Sequence, residues 1–231
     1  MDIIYFVKDT TTNEELKYSL RSVEKNFPHR NVWFIGGCPK DLTPDKYLKV
    51  EQTHNTKWEN TNDLMRAACM CDEVSDDFVL FNDDFFVLRP VKDVPYYYEG
   101  TIKHRIGQLK SYIHSEYREK MEGCRNMLLA RGYDEKNFAV HMPIVINKEK
   151  MLACMKRFPV GLMWRSLYGN FIGVEGTPTK DQKIITRTQP VPALFPYVST
   201  NDGSFRDGVV GRQIKMLFPR PSSFEKSQPS S

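Results

Sequence analysis

The chain has 231 residues, 40% of them apolar, enough for one sizeable core and the length of one large domain. A formal charge of +4 permits an anionic substrate but lacks the strong cationic bias of a dedicated nucleic-acid binder. No apolar run reaches the roughly 18 residues of a membrane-spanning helix, no signal peptide opens the chain, and five irregularly spaced cysteines fit a reducing cytoplasm.

Ile3-Ile4-Tyr5-Phe6-Val7 predicts a buried strand at the start. Thr12 with Glu15 reads as a capping box, and Leu16, Leu20, Val23 and Phe27 share one helical face up to Pro28. Arg21 lies in this helix, either solvated or facing a ligand. Asn31 to Ile35 is a second strand, so the opening reads as a right-handed strand-helix-strand unit. Gly36-Gly37 follows without any phosphate-loop pattern. Lys46 to Gln52 suggests a short edge strand. Asn60 is a reasonable cap for a helix over about 61–72, whose apolar face is Leu64, Ala67, Ala68 and Cys71. Lys57 and Asn60 then precede a helix beside the next strand, as donor contacts or as surface and capping groups. Cys69-x-Cys71 is too tight for the usual zinc spacing and reads as two small, buried or half-buried residues.

The next stretch organises the rest: Asp76-Asp77-Phe78-Val79-Leu80-Phe81-Asn82-Asp83-Asp84-Phe85-Phe86. It is a buried strand ending abruptly in adjacent carboxylates. Like charges disfavour one another, and burial adds to the cost. A hard cation such as Mg²⁺ or Mn²⁺ would relieve both, with Asp83 and Asp84 as ligands. A turn or helix cap accounts for Asn-Asp equally simply. Strand ends of this kind are where open α/β sheets bind ligands.

Val94 to Tyr98 suggests an aromatic strand. Residues 102–132 turn basic around an apolar seam of Ile106, Leu109, Ile113, Tyr117, Met121, Cys124 and Leu128. This predicts one long helix or two shorter ones, inserted against the core and ending at Gly132. Asn137 to Ile146 reads as two strands interrupted at His141-Met142-Pro143, followed by a helix over Lys148 to Arg157 ending at Phe158-Pro159. His141, among apolar residues, is a base, a metal ligand or a core histidine. Trp164 to Asn170 reads as a pocket wall in which Arg165 can hold a phosphate. Val198 to Gly203 is a strand running into another Asn-Asp turn, with Asp202 as a third acidic candidate. Val209 to Phe218 suggests a last helix, and 219–231 a flexible Pro/Ser-rich tail. The expected organisation is thus one domain over 1–218, of α/β class.

Four stretches carry a resemblance: Glu15 to Val23, Phe81-Asn82-Asp83-Asp84-Phe85-Phe86, His141-Met142-Pro143 and Thr200-Asn201-Asp202. Together they resemble the Stealth family of sugar-phosphate transferases and short glycosyltransferase-like proteins of bacteria and their phages. The resemblance implies a GT-A-like (Rossmann-like) fold with a mixed, mainly parallel sheet flanked by helices. It also implies a metal-held nucleotide-sugar donor, UDP-linked. Asn82 stands where the first aspartate of the family's Asp-x-Asp motif would be, leaving Asp84 as the clearest metal ligand beside Asp83. The resemblance implies a catalytic role for His141 and Asp202, and contact with donor phosphates or substrate for Arg21 and Arg165. Stealth proteins open with a strand ending in Asp-Gly, whereas this chain has Lys8-Asp9-Thr10. The expected activity is metal-dependent glycosyl transfer to a saccharide or to a modified base in DNA. The alternatives are sugar-1-phosphate transfer and a non-catalytic nucleotide or nucleic-acid binding module.

Overall fold

The computed structural model describes residues 1–109, 115–158 and 163–226. In chain order its elements are β1 (Asp2–Val7), α1 (Glu14–Asn26), β2 (Val32–Gly36), β3 (Lys46–Lys49), α2 (Lys57–Met70), β4 (Asp77–Phe81) and β5 (Phe85–Val87). Then come β6 (Tyr97–Tyr98), α3 (Ile102–Gln108), α4 (Ser115–Leu129), β7 (Ile144–Asn147), α5 (Lys148–Arg157) and α6 (Trp164–Phe171). The last are β8 (Thr177–Pro178), β9 (Tyr197–Ser199), α7 (Asp202–Asp207) and α8 (Val209–Leu217).

The central sheet has the order β3-β2-β1-β4-β7. β1 to β4 are parallel and β7 is antiparallel to β4. This is a mixed, mainly parallel sheet flanked by helices, as its apolar runs predict. Side chains alternate along buried strands, so β1 feeds both faces. Ile4 joins Trp33, Leu80 and Ile146 under α2, α4 and α5, whereas Ile3, Tyr5 and Val7 join Phe34, Val79 and Phe81 under α1. The chain winds outward from β1 through β2 to β3, then returns to β4 on the other side of β1. A crevice therefore opens at the carboxyl ends of β1 and β4, the usual ligand position in such sheets.

Several local expectations are corrected. α1 is capped by Asn13, not Thr12: its Oδ1 accepts from the Leu16 amide at 2.9 Å. α2 begins at Lys57 with Thr56 as its cap, so Asn60 lies inside the first turns and ties down the loop by bonding both His54 backbone groups. The run around Phe81 splits: β4 stays in the central sheet, while β5 turns away to pair with β9. Ser22 and Asn26 on α1 bond the two backbone groups of Val87, so the helix satisfies the strand's free edge. Residues 137–141 form no strand. Trp164 to Asn170, read as a pocket wall, lies in the helix α6, whose first residues do line the crevice.

The basic stretch divides into α3 and α4; Lys110 and Ile113 lie outside the described residues, as does Pro159. Met121, Cys124 and Leu128 pack on the β1–β4 core, as the seam requires. Its cations are partly consumed internally. Arg118 donates to the Ile106 and Leu109 carbonyls, and Arg125 pairs with Glu135. The tail expected from 219 starts with a docked segment. Phe224 is buried, its carbonyl accepts from Thr43 N–H at 2.8 Å, and Lys226 N–H reaches the Asp41 carbonyl at 3.0 Å. Residues 227–231 lie outside the described residues.

Cys69, Cys124 and Cys154 are buried thiols, Cys71 is half-buried, and no disulfide forms among the five cysteines. No helix among the described residues is long and apolar enough to cross a membrane.

At the end of the sheet away from the crevice, Asp2 is fully buried. Its carboxylate accepts from Arg30 (2.9 Å, twice), Asn31 (3.1 Å), Trp33 Nε1 (3.2 Å) and the Ser75 amide (2.9 Å). Burial opposes its ionisation, but these donors prevail and hold the carboxyl below its ordinary 3.8. The folded chain therefore binds this proton less readily than the unfolded one. The stabilisation is complete above that value and is lost as pH falls below it. Asp2→Ala strands several buried donors and is expected to cost about 3 kcal/mol in urea unfolding at pH 7. A loss under about 0.5 kcal/mol, the size of a surface change, would contradict this role.

Candidate active site

The crevice at the ends of β1 and β4 is a cavity of about 610 Å³, within the roughly 300–1,000 Å³ of small-molecule sites. Phe6, Leu80, Asn82 and Asp83 form its sheet side. Lys57, Trp58 and Thr61 come from α2, Arg105 from α3 and Tyr117 from α4. His141 and Met163 to Arg165 close it. The wall is largely aromatic and apolar, with four basic side chains and a single carboxylate among the described residues.

His141 is the most defined group. Its backbone N–H donates to Asp181 Oδ1 at 2.8 Å, and its Nδ1 lies 2.7 Å from Asp181 Oδ2. Burial of Asp181 opposes its charge, but the bonds to His141 outweigh it and hold the carboxyl below the usual range. With Nδ1–H donated to a carboxylate, the neutral ring presents Nε2 as a proton acceptor.

Arg165 lies beside it. Nη1 donates to the Met142 and Val140 carbonyls at 2.6 and 3.3 Å, and the guanidinium stands over the rings of Phe85 and Trp164. Nη2 is buried without a partner. Burial pulls Arg165 down to about 10, still fully charged at neutral pH. Arg165 lines the cavity, and a charged guanidinium there favours an anionic group. Lys57 and Lys120 both lie over the Trp58 ring, at 4.7 and 5.3 Å, adding positive charge on the α2 side.

The carboxylate pair divides its roles. Asp83 lines the cavity, and its Oδ2 accepts from Asn13 Nδ2 at 2.7 Å. Burial and then the neighbouring Asp84 raise its pKa. Asp84 does not line the cavity: its Oδ2 accepts from Ser199 Oγ at 2.8 Å and pairs with Lys183. Of the two oxygens of Asp84, Oδ2 is thus occupied by an ammonium and a hydroxyl. Among the described residues no group of three or more His, Cys, Asp or Glu is placed to hold a metal. The expected metal role of Asp83 and Asp84 thus finds no supporting geometry.

Other candidates lie elsewhere. Arg21 makes a two-point pair with Glu225 (2.6 and 2.7 Å) and donates to Phe218 O, so it fastens the C-terminal segment rather than facing the cavity. Asp202 is exposed at the start of α7, outside the cavity lining. Its charge nevertheless reaches Glu15, which accepts from Thr200 Oγ1 at 2.6 Å. Burial, followed by repulsion from Asp84, Asp83 and Asp202, pushes Glu15 up to about 7.

Sequence reasoning passed over Asp181, Lys183, Asn13, Trp58 and Arg105. Asp181 and Lys183 sit in a loop without periodicity. Asn13 was hidden by the better-looking box at Thr12.

No family model matches the chain. By sequence the chain is similar to the N-acetylglucosamine-1-phosphotransferase subunits alpha/beta of Mus musculus and of Homo sapiens. Each is 30% identical over 135 residues, which cover 54% of this chain. The chain spans only about 10% of the length of these relatives. By structure it is similar to the galactosyltransferase LgtC, solved in complex with donor and acceptor sugar analogs. The TM-score is 0.52 over 98% of both chains at 12% identity, a likeness that shows the fold alone. The fold is GT-A-like, of the kind found in bacterial glycosyltransferases.

Glu15 gives a pH test. Its folded-state pKa of about 7 lies above the ordinary 4.5. Across that window the folded chain holds the proton more tightly than the unfolded chain, so stability falls as pH rises through it. Glu15→Gln keeps an acceptor for Thr200 and removes the titration. Its melting temperature should therefore exceed that of the parent at pH 8 but not at pH 4.5. With partial solvent screening, the gain corresponds to about 1 kcal/mol. Parallel curves at both pH values would refute the raised carboxyl.

Proposed function

We propose that the chain is a nucleotide-sugar-dependent transferase that moves a sugar-1-phosphate onto an acceptor hydroxyl. The observation that carries this is the joint placement of His141, fixed by Asp181, and the Arg165 guanidinium at one cavity of a GT-A-like fold. His141 Nε2 takes the proton of the acceptor hydroxyl. The hydroxyl oxygen attacks the phosphorus that bears the sugar, the bond from that phosphorus to the bridging oxygen breaks, and a nucleoside monophosphate leaves. Arg165, with Lys57 and Arg105 on the facing wall, stabilises the charge gathering on the phosphate oxygens. Asp83 accepts from a sugar hydroxyl, and Trp58, Trp164 and Tyr117 offer rings for stacking on base or sugar. The choice of phosphorus rests on the similarity to the N-acetylglucosamine-1-phosphotransferase subunits, and a UDP-linked donor is the first to test.

The second reading is glycosyl transfer, favoured by the likeness to the LgtC fold. The same base and cations serve, but attack falls on the anomeric carbon and a nucleoside diphosphate leaves. A saccharide is the preferred acceptor in both readings. With Arg118 and Arg125 bonded internally, the α3–α4 surface offers less free charge for a DNA backbone.

A panel of nucleotide sugars, read by mass spectrometry of the released nucleotide, separates the readings. Monophosphate together with sugar phosphate supports the first, and diphosphate the second. No release from any donor, with or without offered saccharide acceptors, and no donor affinity would remove both. With the working donor, His141→Ala should lower turnover about 100- to 10,000-fold. Arg165→Met should lower it about 100- to 1,000-fold, with a larger effect on kcat than on KM. Near-normal turnover in either variant would displace that residue from its role.

A further inference from the structure

Lys183 is built into its position. It forms a parallel bridge with Ser199, and the backbone on either side is tied: Ser199 N–H donates to Gln182 O at 3.1 Å, and Ile184 N–H to Ser199 O at 2.8 Å. Ser204 Oγ donates to Ile184 O at 2.7 Å and holds the segment from α7. From this fixed point the ammonium meets Asp84 Oδ2, which Ser199 Oγ binds at 2.8 Å. Asp84 is almost fully buried, and the carboxyl groups of Asp83, Glu15 and Asp202 lie within electrostatic reach of one another around it. Lys183 is the cation that pairs with Asp84 there.

We infer that Lys183 takes the place of a divalent ion: it neutralises Asp84, so the donor phosphates meet Arg165, Lys57 and Arg105 with no metal bridge. The last clause rests on the transferase reading, whereas the assignment of Lys183 does not. Lys183→Met frees Asp84 beside Asp83 and creates the chelating pair that the parent lacks.

The test is Mn²⁺ binding, followed by calorimetry and by the electron paramagnetic resonance of free Mn²⁺, without any nucleotide present. The parent should bind Mn²⁺ only weakly and no more tightly than its Asp84→Asn variant. Lys183→Met should bind at least about tenfold tighter, a gain that a further Asp84→Asn change removes. Where Lys183→Met fails to fold, as judged by circular dichroism, the comparison of the parent with Asp84→Asn decides. Stoichiometric Mn²⁺ binding by the parent that Asp84→Asn abolishes would overturn the inference, and so would a folded Lys183→Met that gains none. Donor turnover is measured separately in EDTA. Undiminished turnover supports the inference, and loss that Mn²⁺ restores overturns it. A chain that turns over no donor defeats the transferase reading while leaving the Mn²⁺ result to decide the role of Lys183.

Discussion

Two adjacent carboxylates at the end of a buried strand create a debt of solvation that the surrounding chain must meet. Asp83 and Asp84 cannot both lose water and keep their charge without partners. The partners come from far along the sequence. Asn13 arrives from the N-cap of α1, Ser199 from β9 and Lys183 from the loop before it. Each contact also fixes an element: α1 over the sheet, β9 beside β5, and the 182–184 segment beside β9. The polar turn is thus a structural hub as well as one side of the cavity.

The sheet order explains why chemistry gathers at this end. β1 and β4 are neighbours in the sheet, and their carboxyl ends lie side by side at the cavity. The α3–α4 pair and the start of α6 close the gap from the outside. They bring arginine and aromatic side chains to a wall whose floor is strand. Histidine reaches the same wall from a segment with no regular structure of its own. It is held by the carboxylate of Asp181, forty residues further on.

What the sequence reveals follows from the range of the physical signals. Buried strands and amphipathic helices announce themselves within a dozen residues, so β1, α1, β2, β4, α5 and the core seam of α4 were legible. Caps were less so: Thr12 and Asn60 satisfy the local pattern, but Asn13 is drawn to Asp83, and Thr56 with Glu59 makes the local cap that starts α2 earlier. Of the candidate site, His141, Arg165, Lys57, Asn82 and Asp83 do meet at one cavity. Arg21 is consumed by Glu225, whose pairing across the fold leaves no local trace. Asp84 reads as a metal ligand because the sequence shows its charge and not the lysine ninety-nine positions away that answers it.

Asp181 and Lys183 are two residues apart on the segment that bridges to Ser199. One reaches the histidine and the other the buried aspartate. The separation of these two distant groups is therefore measured against a single short ruler. A slip of one residue in the pairing of this segment with β9 would turn both side chains to the opposite face together. The spacing between Asp181 and Lys183 is therefore held by their two partners.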